Sequence, residues 1–439
     1  MDAPPARGPS LLMRCIRIIP AGLLCAWVLV IFWNSAKPLP AGTHVVSQVS
    51  RLSDSDVEFF REAPREASLA IREATAIGRA EQLIVIDRSP VTAELAQRLL
   101  ARKRARPKIK IVVATDPAHE AFGGTASQTL ASMEQAGIIV ARVRLDRLRD
   151  SNPLYSGIWR LLLGWWSDPF DEAPGQVSVQ GWARMLNCKA DQRQLLVADD
   201  GSGGWISIVA AAGATAGLVI KGSLARAMIA SELHIVQWSA DEDRLPAATP
   251  MDGGGLGSID ARFLTEAGIE TALLDAVRAA SKDDQISIAV RDWSHRPLLA
   301  AMIAAARRGA HVRVLLSRDR MPNQSVADEL LREGSGRIEV RWCPSAPAEP
   351  RPSLLAVRRR NDMWVNLSSA NYTRRNLADL NLEAGVELHM PPRAAAARAI
   401  SEYFDGLWSG ATTDSGPADE GILADWHYRF AEATGLSSF

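Results

Sequence analysis

The sequence has no surplus of charge: 50 Lys and Arg residues balance 50 Asp and Glu residues over 439 positions. A chain so balanced has no overall field to hold nucleic acid or an anionic surface, so no nucleic-acid partner is expected and any anion site must be local. Cysteine is scarce as well. Its four occurrences, Cys15, Cys25, Cys188 and Cys343, include no pair at metal-ligand spacing, so no metal site is expected, and no motif calls for a cofactor. Cys188 and Cys343 leave two readings open, a disulfide in an oxidising compartment or two buried free thiols. The Gly-rich stretch from Met251 to Gly257 lacks both the lysine of a P-loop and the spacing of a dinucleotide-binding turn, and reads as a linker. What the sequence does have is 47% hydrophobic residues, ample for a buried α/β core in one large or two ordinary domains.

One long apolar run stands near the N-terminus. Arg7, Arg14 and Arg17 precede Ile18 to Trp33, and a polar, Pro-containing stretch from Asn34 to Gly42 follows. The length is at the short end for a bilayer span and also suits the core of a signal peptide. With only a weak cleavage site after it, the run is expected to be an uncleaved single-pass anchor at 18–33. The basic leading flank predicts a cytoplasmic segment at 1–17 and the bulk of the chain on the other side of the membrane.

After a polar connector over 34–65, apolar runs alternate with helical patterns. Ser68 to Arg79 and Val91 to Lys103 read as helices; Gln82 to Asp87 and Ile109 to Thr115 read as buried strands. The order returns with Thr265 to Ala280 and Arg296 to Arg308 helical and with Gln285 to Arg291 and Val312 to Ser317 as strands. Strand, helix, strand predicts a parallel βαβ unit, and its recurrence predicts two similar α/β lobes at 66–245 and 259–412, with a linker at 246–258 and a tail at 413–439. Within the first lobe, Ile158 to Phe170 sets Trp159, Trp165 and Trp166 among leucines. That suits either a membrane interface or a core helix. The basic run from Ala101 to Lys110 reads as a solvated helix end.

In the second lobe, LSSANYTRRNLADLNLEAGVEL from Leu367 to Leu388 closely resembles the part of a phospholipase D lobe that follows its HxKxxxxD motif. In the first, LNCKADQRQLLVADDGSGGWISIVAAAG from Leu186 to Gly213 is similar to the family's LNxKAxHRKLLVxD pattern and the strand and turn after it. Beyond these motifs, stretches such as RLRDSNPLYSGIWRLLL and SEYFDGLW resemble the membrane-anchored bacterial branch similar to cardiolipin synthases. The resemblance implies two phospholipase D-type lobes, each a mixed sheet flanked by helices, facing a central cleft behind one transmembrane helix. It also implies a single-pass protein of a bacterial inner membrane with its main part in the periplasm.

The aligned catalytic positions are altered in both lobes. The family's His, Lys and Asp fall on Gln192, Gln194 and Asp199 in the first lobe (motif 187–213) and on Arg351, Ser353 and Arg358 in the second (motif 351–371). In the family one His attacks phosphorus and the other protonates the leaving alkoxide. A glutamine amide has no useful nucleophilic lone pair, and a guanidinium stays protonated, so neither replacement fills either role. None of the seven histidines, His44, His119, His234, His295, His311, His389 and His427, stands in an HxK arrangement. His295, near a strand end, is the one weighed for a catalytic role against an ordinary buried polar one. Arg351, Arg358, Ser369 and Asn371 are the phosphate-binding candidates, since a guanidinium fork and short polar donors suit phosphate oxygens. Glu383 falls where the family places an acidic supporting residue and is expected to pair with Arg351 or Arg358.

The sequence therefore leads to a membrane-anchored, catalytically inactive pseudoenzyme of phospholipase D type. It would bind membrane phospholipid or phosphate and support or regulate phospholipid metabolism, with an active relative as partner. The alternative is an active phosphatidyltransferase or phosphodiesterase with a rearranged site.

Overall fold

A computed structural model of the chain describes residues 11–61, 68–118, 125–162, 187–211, 213, 216–240, 245, 257–318, 321–343, 352–413 and 430. Two mixed sheets carry the fold. The first lobe's sheet has seven strands: β2 (Val57–Arg61), β3 (Leu83–Arg88), β4 (Lys110–Thr115), β5 (Ile139–Arg142), β6 (Gln194–Asp199), β7 (Trp205–Ala210) and β8 (Ala216–Lys221). The second has eight: β1 (Ser50–Leu52), β9 (Ile259–Thr265), β10 (Gln285–Val290), β11 (His311–Ser317), β12 (Ile338–Cys343), β13 (Ser353–Arg358), β14 (Met363–Ser368) and β15 (Ala384–Met390).

The order is β2-β8-β7-β6-β3-β4-β5 in one sheet and β1-β9-β15-β14-β13-β10-β11-β12 in the other. Without β1, the two orders superimpose strand for strand, which is the repeat seen in the sequence. In each, a parallel pair joined by a crossover helix continues into an antiparallel run. Gln285 to Val290 pair in register with His311 to Leu316, and Leu83 to Asp87 with Lys110 to Ala114. The crossovers are α3 (Ala93–Ala105) and α8 (Arg296–Arg307), the former capped by the Thr92 hydroxyl, which accepts from the Leu95 N–H at 3.2 Å. The strands β3, β7 and β14 are buried along their whole length, as strands covered on both faces are, with Asp87, Arg88, Ser207, Asn366 and Ser368 buried among their apolar residues.

Helices α2 (Ser68–Arg79), α3 and α4 (Thr125–Gln135) accompany one sheet, and α7 (Ala267–Ala279), α8 and α9 (Met321–Glu333) the other. Each set packs its own apolar layer on the outer face of its sheet. Between the sheets lies a third, shared core, to which α6 (Ala225–Ala240) and α11 (Ala395–Gly410) bring Met228, Ile229, Val236, Ile400, Phe404 and Trp408. One core spanning both lobes makes them a single folding body.

The polar connector expected over 34–65 is more than a connector. Ser50 to Leu52 form β1 beside β9 in the second sheet, and Val57 to Arg61 form β2 beside β8 in the first. The first lobe therefore begins at β2 and not at residue 66. Cys188 and Cys343 are free thiols, both half-buried.

At the N-terminus, α1 (Leu11–Ala36) contains the expected apolar run, and Ile19 to Ala36, of mean hydropathy 1.7, is long and apolar enough to cross a membrane. Of the segment Ile158 to Phe170, residues up to 162 belong to α5 (Pro153–Leu162), and the rest lies outside the described residues. Trp159 is buried while Ile158 is exposed, so one face of this helix is a core face. The short α10 (Arg374–Leu377) follows the turn after β14.

Candidate functional site

The lobes meet where the segment before β6 runs beside the segment before β15. Asp191 pairs with Leu382 in a parallel bridge, the Gln192 N–H donates to the Leu382 carbonyl at 2.9 Å, and the Leu382 N–H donates back to Ala190 at 3.0 Å. This pairing carries Gln192, the residue that the sequence resemblance sets against the family's first-lobe histidine, into the second lobe. There its half-buried carboxamide oxygen accepts from Asn376 Nδ2 at 3.2 Å.

Asn376 Nδ2 also donates to one oxygen of Glu383, and the Ser369 hydroxyl donates to the other. Ser369 Oγ in turn accepts from the Ala384 N–H at 3.1 Å. Glu383 is fully buried, and burial pushes its carboxyl up to about 8, against the two hydrogen bonds that favour its charged form. At neutral pH it is largely a neutral acid, and Gln192, Asn376, Glu383 and Ser369 form a closed hydrogen-bonded chain.

Beneath that chain lies a buried ionic layer. Glu266 Oε1 accepts from the Glu383 N–H at 2.9 Å and from Arg193 Nη2 at 2.7 Å; Arg193 Nη1 reaches Glu232 at 2.7 Å and Ser231 at 3.0 Å, and Nη2 reaches the Gly42 carbonyl at 3.0 Å. The guanidinium is fully buried, yet flanked by two glutamates, and stays charged. Asp87 and Asp191, also buried, are held well above the usual carboxylate range, Asp87 by burial and the charge of Asp191, and Asp191 by burial. The Asp87 carboxyl takes no hydrogen bond from an N–H or hydroxyl group among the described residues and faces that of Glu232, whose hydrogen bond and charge raise it further.

The other expected positions are dispersed. Gln194 Nε2 donates to the Ser89 carbonyl at 3.2 Å while its oxygen accepts from Arg88, which binds Glu73. Asp199 accepts from the N–H groups of Glu81, Gln82 and Leu83 at 2.8, 2.9 and 2.9 Å and closes the turn before β3. Ser353 is buried opposite Ser368 at the near end of β13, its hydroxyl without a partner among the described residues, as is Asn371 Oδ1. Arg351 lies outside the described residues.

Two expectations are corrected. Arg358 ends β13 opposite Met363 and is exposed, five residues and therefore ~16 Å along the strand from Ser353. It cannot share a phosphate site with Ser369 and Asn371. Glu383, for the same reason, binds Ser369 and Asn376 and not Arg358. His295 caps α8, accepting from the Leu298 N–H, and its Nε2 sits 3.0 Å from Glu270, so it is a satisfied structural histidine.

A contact that no local motif announces joins His44 to Asp379. His44 Nδ1 lies 3.1 and 3.0 Å from the two carboxylate oxygens, and its N–H donates to Glu266 Oε2 at 2.7 Å. Both residues hold positive φ, 52° and 57°, where side chains larger than glycine's are strained. Among the described residues no cluster of His, Cys, Asp and Glu is arranged to hold a metal ion.

Residues 273–408 match the family model described as cardiolipin synthase, PLD-like domain. Among solved structures the chain is similar to phosphatidylserine synthase of Haemophilus influenzae, at TM-score 0.58 and 11% identity, covering 94% of this chain and 98% of that one. It is also similar to polyphosphate kinase of Porphyromonas gingivalis (TM-score 0.47, 12% identity, 87% and 53% covered). A phospholipase D family member of Salmonella typhimurium aligns at TM-score 0.30 and 16% identity, over 34% of this chain and 96% of that one. No curated protein matches the sequence.

Proposed function

We propose that the chain, whose residues 273–408 match a cardiolipin synthase, PLD-like family model, is a membrane-anchored, non-catalytic member of the phospholipase D superfamily that binds membrane phospholipid and supports or regulates phospholipid metabolism beside an active relative. One observation carries this reading. Where the resemblance puts the first lobe's catalytic histidine stands Gln192, whose carboxamide is already engaged by Asn376, which holds a largely neutral Glu383. Such a chain offers neither a nucleophile nor a proton shuttle where phosphorus would react. With Ser369 bonded to Glu383 and Arg358 far away, little of the expected phosphate half site remains in the second lobe. Lipid affinity is then assigned to the membrane-facing part of the molecule. Arg7, Arg14 and Arg17 ahead of the apolar helix support a periplasmic location for the lobes.

The test is phospholipid turnover by the purified chain in mixed vesicles, following headgroup release and cardiolipin formation against an intact family member. Inactivity with vesicle binding retained is the expected result. Turnover that disappears in the Gln192→Ala variant would overturn the reading.

A second reading, an active phosphatidyltransferase or phosphodiesterase with a rearranged site, is favoured by the pair His44 and Asp379. The imidazole is half-exposed and oriented by a carboxylate as catalytic histidines are, and the His44 backbone N–H donates to Glu266, which also accepts from the backbone of Glu383. Turnover lost in His44→Ala but kept in Gln192→Ala would establish this reading in place of the first.

A further inference from the structure

Helix α5 doubles back along α1. At the end of α1 the Asp150 N–H donates to the Asn34 carbonyl at 3.1 Å, and Trp27 Nε1 donates to the Leu154 carbonyl at 3.3 Å. Gly157 lies so close to the Trp27 and Ile31 side chains that a Cβ there would fall 2.7 to 2.9 Å from their atoms. The inward face of α5 is Ser156, Gly157 and Trp159. Its outward face is Leu154, Ile158 and Leu162, spaced as successive turns of one stripe and 37%, 50% and 62% exposed. On α1, Leu29, Phe32 and Trp33 are exposed apolar residues as well.

Depth follows from helix geometry. Trp27 and Ile31 precede Ala36 by nine and five residues, so Gly157 sits ~8–14 Å back from the end of α1 at ~1.5 Å per residue. One leaflet of hydrocarbon is about 15 Å thick. If α1 spans the bilayer, α5 cannot remain in water beside it. Charged groups gather at the other end of the pair, where headgroups would be. Lys37 donates to the Asp146 carbonyl, Arg149 Nε to the Lys37 carbonyl at 3.2 Å, and Lys189 binds Asp150 at 2.7 Å; Arg160, on α5 between Ile158 and Leu162, turns its side chain back to the same Asp150 at 3.0 Å. Burial, with Lys189 nearby, lowers Lys37 to about 7, a cost that an anionic headgroup at this level would relieve.

We propose that α5 enters the bilayer alongside α1, its Leu154, Ile158 and Leu162 stripe in the leaflet on the lobes' side, so that the lobes are docked on the lipid surface through two helices and not tethered by one. The occupant of this face is the bilayer itself. The proposal rests on α1 being a membrane span, and its test separates the two.

The full-length chain, with Cys15, Cys25, Cys188 and Cys343 replaced by serine, is reconstituted in vesicles of phosphatidylethanolamine and phosphatidylglycerol. A nitroxide is attached in turn at Leu29→Cys, Ile158→Cys, Leu162→Cys and Leu331→Cys, and its collision rates with oxygen and with a water-soluble nickel chelate are read. The expected result is oxygen enrichment at positions 158 and 162 equal to that at 29, with position 331 in water. A label at 29 in lipid with 158 and 162 in water would overturn the docking of α5 and leave the anchor standing. Labels at 29, 158 and 162 all in water would overturn both. Labels at 158 and 162 shielded from both quenchers would show a protein surface, such as a second copy, covering the stripe, and would also overturn the proposal.

Discussion

Replacing Glu383 by glutamine should make the protein less sensitive to alkaline pH. Burial raises the Glu383 carboxyl from its ordinary 4.5 to about 8. Between those values the unfolded chain has released this proton while the folded chain keeps it, so stability is full below pH 4.5, falls as pH rises, and reaches its lowest contribution once pH passes the folded value. At ~1.4 kcal/mol per pH unit, the window amounts to ~5 kcal/mol above pH 8. Relaxation and water entry near the cleft reduce that to about 2.5–5 kcal/mol. Glutamine fits the same place: its oxygen accepts from Asn376, and its amide donates to the Ser369 hydroxyl, which already accepts from Ala384. Urea unfolding of the detergent-solubilised chain, followed by tryptophan fluorescence near pH 5 and pH 9, measures the difference directly. The variant should match the parent at the lower pH and exceed it at the higher. Asp87 and Asp191 titrate in both proteins, so their own contributions cancel and only the charge of Asp191 on Glu383, the last of the causes that raise it, stays in the difference. A difference that stays constant across the range would refute the assignment of a largely neutral acid at this position.

Arg193→Met leaves Glu232 and Glu266 buried without their cation and should cost about 3–5 kcal/mol in the same assay, with part recovered when both glutamates become glutamines. Asp199→Ala removes the acceptor of three backbone N–H groups at the turn before β3 and should cost about 1–3 kcal/mol without altering vesicle binding. Gly157→Leu forces a side chain against Trp27 and Ile31, so a nitroxide at Leu162→Cys should become more mobile when the two helices part.

The repeat was legible because its strands are buried on both faces and therefore run as nearly unbroken apolar sequence, Leu83 to Ile86 and, around the one Ser287, Ile286 to Val290 among them. The strands β1 and β2 left no such trace: they are short, lie at or near sheet edges and alternate between burial and exposure without a clean period. In the cleft, the identities at positions 192, 194 and 199 could be read, but not what each would touch. Asn376 meets Gln192 across 184 positions, and His44 meets Asp379 across 335, distances over which no spacing rule operates. Arg193 stood inside the first motif, unremarked, because only folding brings Glu232 and Glu266 around it. The expected pairing of Glu383 with Arg358 failed for a simpler reason: a strand's length separates them.

The first residues beyond α1 lace the molecule together. The Gly42 carbonyl takes hydrogen bonds from Arg193 and Ser231, β1 extends one sheet, and a few residues later β2 extends the other. Force applied to α1 is therefore shared between the lobes at once, as a thread stitched through two panels loads both. A water-soluble version that starts after the apolar helix must keep this stitch, beginning before Gly42; one cut at residue 66 would forfeit an edge strand from each sheet.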